Sequence, residues 1–154
     1  MKTYIFCMLS LILPALVQAG GSAKISGLEI VNAWIAEAPP VSTVNAGYMK
    51  IINSTPADIR IVSADCENYS SAEFHRTVHT DGMARMRYLD ELTIPAGSAL
   101  VLEPGDYHLM LFNPVRALHS GDESQCTLKL DDGRSLAIEL DVKKSSEDHS
   151  HHQH

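Results

Sequence analysis

Histidine and methionine occur together at two places in this chain of 154 residues, with spacings that suit metal binding. The first place holds His75 and Met86, and the second holds His108 and Met110. Imidazole nitrogens are the commonest metal ligands in proteins, and thioether sulfurs are soft donors. A metal site therefore requires that the fold bring the two places together.

The segment from His75 to Met86 has the features of a β-hairpin. Asp81 and Gly82 form an Asp-Gly pair between two extended runs, which is a strong signal for a two-residue turn. With this turn, Thr77 faces Met86 across the hairpin. Residues two apart on a strand share a face, so His75 becomes a diagonal neighbour of Met86. One metal ion could lie between them.

The second place is a predicted strand over residues 107–112. His108 and Met110 are two residues apart, so both project from one face of this strand. Leu109 and Leu111 project from the opposite face and are natural core residues. The histidine and the methionine are therefore free to form the second half of a site.

Two imidazoles and two thioethers form a neutral donor set that prefers Cu(I), whereas Ca²⁺ and Mg²⁺ prefer oxygen ligands. The complex would be cationic, which favours an exposed or shallow site. Each pair alone has a simpler explanation, since strand methionines usually fill the core and surface histidines usually have no specific role. The occurrence of both pairs in one chain, in the order His75, Met86, His108 and Met110, is what favours a metal site.

The rest of the chain predicts an all-β domain over residues 24–142, either a sandwich or a barrel. Turn signals recur at intervals of about 10 residues, as is typical of such folds. Long helical patterns and internal repeats are absent from the sequence. Predicted strands cover residues 47–52, 59–62, 98–102, 107–112, 126–130 and 135–142.

Residues 1–19 have the features of a secretory signal peptide, with Lys2 before an apolar run and small residues at Val17 and Ala19. About 14 apolar residues are fewer than the roughly 20 that span a bilayer, so we expect no membrane span in the mature chain.

The formal net charge of −7 disfavours nucleic acid as a partner, because phosphates require cations.

After removal of the signal peptide, with Cys7 inside it, two cysteines remain, Cys66 and Cys126. In an oxidising compartment an even pair favours a disulfide, although sequence alone cannot place the two residues within bonding distance. Two separate buried thiols are the alternative. Thiolate metal ligands are a weaker possibility, because neither cysteine belongs to a C-x-x-C pair.

Residues 143–154 form a predicted disordered tail, because they offer no apolar side chain to bury. The tail could bind a divalent metal loosely through imidazoles, or it could be a solvated segment or a tag remnant. Its candidate ligands are four histidines: His149, His151, His152 and His154.

The order His75-x10-Met86-x21-His108-x-Met110 resembles the signature of the periplasmic PCuAC copper chaperones. The segment from Leu102 to Met110 also supports the resemblance, and its sequence is Leu-Glu-Pro-Gly-Asp-Tyr-His-Leu-Met. The likeness spans about residues 29 to 142.

This resemblance implies a cupredoxin-like β-sandwich that binds one Cu(I) through His75, Met86, His108 and Met110. It also implies a periplasmic carrier that delivers copper to the Cu(A) centre of cytochrome c oxidase, with a Sco-type thioredoxin-like partner. The histidine tail is similar to tails that add Cu(II) binding in some members. The two cysteines are not part of the family's copper motif.

Three other functions compete with delivery. A blue-copper electron carrier needs a cysteine thiolate beside two histidines, and Cys126 has no histidine close behind it within the domain. An enzyme needs a catalytic set, and none emerges from the sequence. Copper sequestration is the more serious rival, since it would use the same ligands and the tail as additional capacity.

Overall fold

The computed structural model describes residues 22–145, and the regular structure within that range is entirely β-strand. None of the described residues forms a helix long and apolar enough for a membrane crossing. The predicted signal peptide and the four tail histidines lie outside the described residues. The strands are β1 (Ala23–Ile25), β2 (Leu28–Ala36), β3 (Val44–Asn53), β4 (Ile59–Cys66), β5 (Tyr69–Thr80), β6 (Met83–Leu89), β7 (Leu92–Ile94), β8 (Ala99–Leu102), β9 (Tyr107–Pro114), β10 (Glu123–Leu130) and β11 (Ser135–Lys143).

Seven of these strands pair in a closed circuit, in the order β2, β11, β10, β4, β5, β9 and β3, and β3 pairs again with β2. The other four strands attach outside the circuit: β1 to β2, β6 to β5, β7 to β4 and β8 to β3. The pairing of β2 with β11 is parallel, and the other pairings are antiparallel. The all-β prediction is confirmed, and because the circuit closes on itself, its strands form a barrel.

Alternating apolar residues fill the space inside this circuit, as the period of a strand requires. In β2 the alternation changes phase, since Leu28 and Ile30 are buried in the first half and Ala33 and Ile35 in the second. The change occurs at a register irregularity with β3, where Asn32 has a φ of 55°. An extra residue at a bulge shifts every later side chain to the other face, so the bulge keeps both halves in the core.

The β5–β6 hairpin has the predicted turn. Asp81 and Gly82 have φ values of 53° and 74°, the left-handed conformation that a two-residue hairpin turn of this kind needs at both positions. The observed register pairs Thr77 with Met86, as predicted from the sequence. Within residues 22–145, β6 pairs with β5 and with no other strand, so it is an edge strand of this part of the chain, and nearly all of it is exposed.

Cys66 and Cys126 face each other on β4 and β10 and form a disulfide, with their Cα atoms 4.0 Å apart. Both residues are buried. Of the three alternatives for these cysteines, the structure therefore has the disulfide, and thiolate ligation of a metal does not apply.

Candidate metal centre

Three adjacent strands, β6, β5 and β9, place the four predicted ligands on one face of the sheet. His75 of β5 pairs directly with His108 of β9. Met86 pairs with Thr77, and Met110 pairs with Glu73. Directly paired residues share a face, as do residues two apart on a strand, so all four candidate side chains project from the same side.

His75 lies at the centre of this arrangement. Its two methionine neighbours lie on opposite diagonals, Met86 one step toward the hairpin turn and Met110 one step away from it. Diagonal neighbours on a sheet are within reach of long side chains. An ion bound at a ring nitrogen of His75 is therefore within reach of the second imidazole and of both thioethers.

The two imidazole rings are close neighbours, with centroids 5.9 Å apart and planes inclined by 33°. Tyr88, which pairs with His75 on the β6 side, meets the His75 ring edge-on at 5.8 Å. Phe112 of β9 lies 6.4 Å from the same ring. Aromatic neighbours on two sides limit the orientations open to His75 and shield it from water.

The orientation of His108 is set by the turn that precedes β9. Its Nδ1 lies 3.0 Å from the backbone carbonyl oxygen of Asp106. A carbonyl only accepts hydrogen bonds, so Nδ1 carries the proton and donates it, and Nε2 keeps the lone pair. That Nε2 atom is buried and has no hydrogen-bond partner among residues 22–145.

The His75 ring is held through Nε2, whereas the His108 ring is held through Nδ1. Its Nε2 lies 2.8 Å from Oε2 of Glu73, and its Nδ1 is buried with no hydrogen-bond partner in the described part of the chain. Buried polar atoms are nearly always hydrogen-bonded, so each exception requires an explanation. Two such nitrogens on directly paired histidines fit a donor set for a metal ion.

Met86 and Met110 differ sharply in exposure. Met86 on the edge strand is 63% exposed, whereas Met110 on the inner strand β9 is half-buried. The expectation of an exposed or shallow site agrees with the exposure of Met86. It is wrong for His108, which is 4% exposed. The reason is that His108 lies on an inner strand, between β5 and β3, with the His75 ring packed beside it.

The turn that orients His108 is itself braced against β5. Arg76 donates from Nε to Oδ1 of Asp106 at 2.8 Å, and its guanidinium carbon lies 4.5 Å above the Tyr107 ring. The hydrogen bond to the carboxylate raises the pKa of Arg76 above its ordinary value. Asp106 also accepts a backbone hydrogen bond from Thr77 at 3.1 Å. These contacts hold the two histidine-bearing strands in one register.

Sequence reasoning missed Glu73 and the Asp106 carbonyl as neighbours of the site. Glu73 could have been found, because it lies two residues before His75 and so shares its face. Tyr88 was not missed, because counting outward from the Asp81-Gly82 turn places it opposite His75, and the structure has this pairing. The Asp106 carbonyl has no sequence signal, since every residue has a carbonyl.

The family described as putative lipoprotein LpqE-like matches residues 28–142 of this chain. The putative lipoprotein Lxx21020 of Leifsonia xyli subsp. xyli (strain CTCB07) is 31% identical over 135 residues, which are 87% of this chain and 80% of that protein.

Among solved structures, the Cu(I) form of DR1885 from Deinococcus radiodurans is 36% identical with a TM-score of 0.62, covering 74% of this chain and 76% of that one. The copper-bound PCuAC domain of PmoF2 is 18% identical with a TM-score of 0.68, covering 80% of this chain and 98% of that one, and this likeness shows the fold. These findings confirm the cupredoxin-like β fold and the resemblance to the PCuAC family. The chain belongs to the LpqE-like family, and it has the fold of the PCuAC domain of PmoF2.

Proposed function

We propose that this protein is a periplasmic copper chaperone that binds one Cu(I) through His75, Met86, His108 and Met110. The observation that supports this proposal best is the pair of buried ring nitrogens, Nδ1 of His75 and Nε2 of His108, without hydrogen-bond partners in the described chain. A relative at 36% identity has been solved with Cu(I) bound, which supports copper as the ion. In this proposal the protein is a carrier and not an enzyme.

The donor set explains why the ion would be Cu(I). Two neutral imidazoles and two thioethers carry no charge, and soft sulfur ligands select Cu(I) over harder divalent ions. Met86 is the natural ligand for exchange, because it is exposed on an edge strand. An acceptor can displace its sulfur first, while both histidines and Met110 still hold the ion. Copper then passes between proteins without entering water.

Met86→Ala should lower the affinity for Cu(I) by about tenfold or more, since even outer-shell changes cost about 10–100-fold at metal sites. The matched control is Met83→Ala, because Met83 is also exposed on β6 but pairs with Thr80 and so lies on the other face. Both variants should keep the wild-type urea midpoint, since exposed substitutions change stability by about 0.5 kcal/mol at most. Competition with a Cu(I)-specific chromophoric chelator measures the affinity, and equal affinities for the two variants would remove Met86 from the site.

We further propose that the acceptor is the Cu(A) domain of cytochrome c oxidase, with a Sco-type protein as a partner. The test is to load the full-length mature protein with Cu(I), mix it with the isolated Cu(A) domain, separate the two and measure copper in each. Delivery predicts that most of the copper moves to the acceptor, and that the transfer requires contact between the proteins. Retention of copper in the presence of excess acceptor would contradict delivery.

Retention would instead favour a sequestering or copper-tolerance protein, which is the second candidate. The feature that favours it is the run of tail histidines, His149, His151, His152 and His154, which could add Cu(II) capacity. Removing residues 144–154, which leaves β11 intact, should then abolish the additional Cu(II) binding and leave the Cu(I) affinity unchanged. Equal loss of both would show that the two sites are not independent.

A further inference from the structure

Glu73 has a position that the copper ligands alone do not explain. It pairs with Met110 across β5 and β9, and it lies two residues before His75, so its side chain shares the face of the candidate site. Its Oε2 lies 2.8 Å from Nε2 of His75. The Glu73 side chain is 40% exposed and the His75 side chain 14%, so the contact forms where the site meets solvent.

We propose that Glu73 is a positioning residue that selects which nitrogen of His75 meets copper. In this arrangement His75 binds through Nδ1, whereas His108 binds through Nε2, so the two histidines present different ring atoms to the same ion. The inference rests on the proposed function, because it concerns the same copper site.

The chemistry of the two partners leads to this assignment. An ionised carboxylate has lone pairs and no proton, so the ring nitrogen that faces it must be the donor. In a neutral imidazole only one nitrogen carries a proton, and Glu73 therefore leaves the lone pair of His75 on Nδ1. The Asp106 carbonyl has the opposite effect on His108, since it engages Nδ1 and leaves the lone pair on Nε2. These are the same two nitrogens that lack a partner in the described chain.

Charge supplies a second reason for a carboxylate at this place. Four neutral ligands around Cu(I) leave a net charge of +1, and a cation in a partly buried site is costly without a counter-charge. The Glu73 carboxylate neutralises that charge and also makes the His75 ring a stronger donor, as carboxylates behind metal-bound histidines do. Removing it should weaken copper binding with the ring still in place.

A purely structural role for the contact is a poor alternative. Residues 73 and 75 belong to a strand that pairs with β9 on one side and, from Phe74 onward, with β6 on the other, so its backbone is fixed without the side-chain contact. Partly exposed ion pairs contribute little to stability. The Glu73 contact can thus be removed with little effect on the fold.

Glu73→Gln is the direct test, because the amide has a similar shape but no charge and can either donate or accept a hydrogen bond. We expect its Cu(I) affinity to fall by about 10–100-fold. Glu67→Gln is the matched control, since Glu67 is exposed at the β4–β5 turn and its side chain makes no hydrogen bond or ion pair within residues 22–145. The control should bind copper as the wild type does.

Long-range proton–nitrogen NMR of the imidazole rings in neutral to basic buffer shows which nitrogen of each ring carries the proton. A purely structural role of Glu73 would leave that assignment unchanged in the Glu73→Gln variant. In the metal-free wild type, His75 should be protonated on Nε2 and His108 on Nδ1. One equivalent of Cu(I) should shift the resonance of Nδ1 in His75 and of Nε2 in His108. In Glu73→Gln the His75 ring should lose its single preferred tautomer, while His108 stays unchanged.

The outcomes separate this inference from the proposed function. If the wild type binds Cu(I) but Glu73→Gln keeps its affinity and its His75 tautomer, the role of Glu73 is wrong and the copper site stands. If the metal-free wild type has the His75 proton on Nδ1, the inference is wrong even when Glu73→Gln fails to fold. If the wild type does not bind Cu(I), the proposed function fails first.

Discussion

His108→Ala should lower the affinity for Cu(I) by about 100-fold or more, because it would remove a direct ligand of the proposed site, and even an outer-shell change costs about 10–100-fold. His108 is the least exposed of the four candidate ligands. Its Nε2 is buried without a partner in the described chain, and its ring is fixed by the Asp106 carbonyl. β9 has no second histidine that could replace the His108 ring as a copper ligand.

The control for this prediction is His79→Ala. His79 lies on β5, four residues beyond His75, so it shares the face of the site, but it is exposed near the hairpin turn. Chelator competition should give the wild-type affinity for this variant. Because His108 is buried, its loss also affects folding, and His108→Gln keeps a group that can donate to the Asp106 carbonyl. Wild-type affinity in a folded His108→Gln protein would contradict the assignment.

Replacing both Cys66 and Cys126 by alanine should reduce the free energy of unfolding by about 4 kcal/mol. The two residues are separated by 60 positions along the chain, and closing a loop of that length restricts the unfolded state by about this amount. The pair joins β4 to β10, and neither of these strands carries any of the four candidate ligands. Cu(I) affinity should therefore be unchanged in the folded variant.

Urea unfolding monitored by circular dichroism measures this effect, with the wild type in a strong reductant as the comparison. The reductant should shift the wild-type midpoint to that of the double variant and should leave the variant's own midpoint unchanged. A loss below about 1 kcal/mol would show that the disulfide contributes little to stability, at the low end of the range for such bonds.

The parts of the site that local sequence determines could be predicted in detail. Asp81 and Gly82 specify a two-residue turn, and counting outward from it gives the observed pairing of Thr77 with Met86. The period of a strand places His108 and Met110 on one face, opposite Leu109. Each of these predictions depends on residues that are neighbours along the chain.

The pairing of His75 with His108 could not be derived from local pattern. It requires β5 to lie beside β9 in a closed circuit of strands, and no turn or alternation encodes which distant strands become neighbours. The resemblance of the four-residue order to a known signature supplied that link. The burial of His108 and the disulfide between Cys66 and Cys126 were beyond local pattern for the same reason.

The central claim is that one cuprous ion is bound by two imidazoles and two thioethers on a single sheet face. X-ray absorption spectroscopy of the protein loaded with one equivalent of Cu(I) tests it most directly, because nitrogen and sulfur neighbours scatter differently. We expect two nitrogen and two sulfur neighbours in the wild type, with one sulfur lost in Met86→Ala and another in Met110→Ala. A spectrum with nitrogen or oxygen neighbours alone, or a sulfur signal unchanged in both variants, would contradict the account.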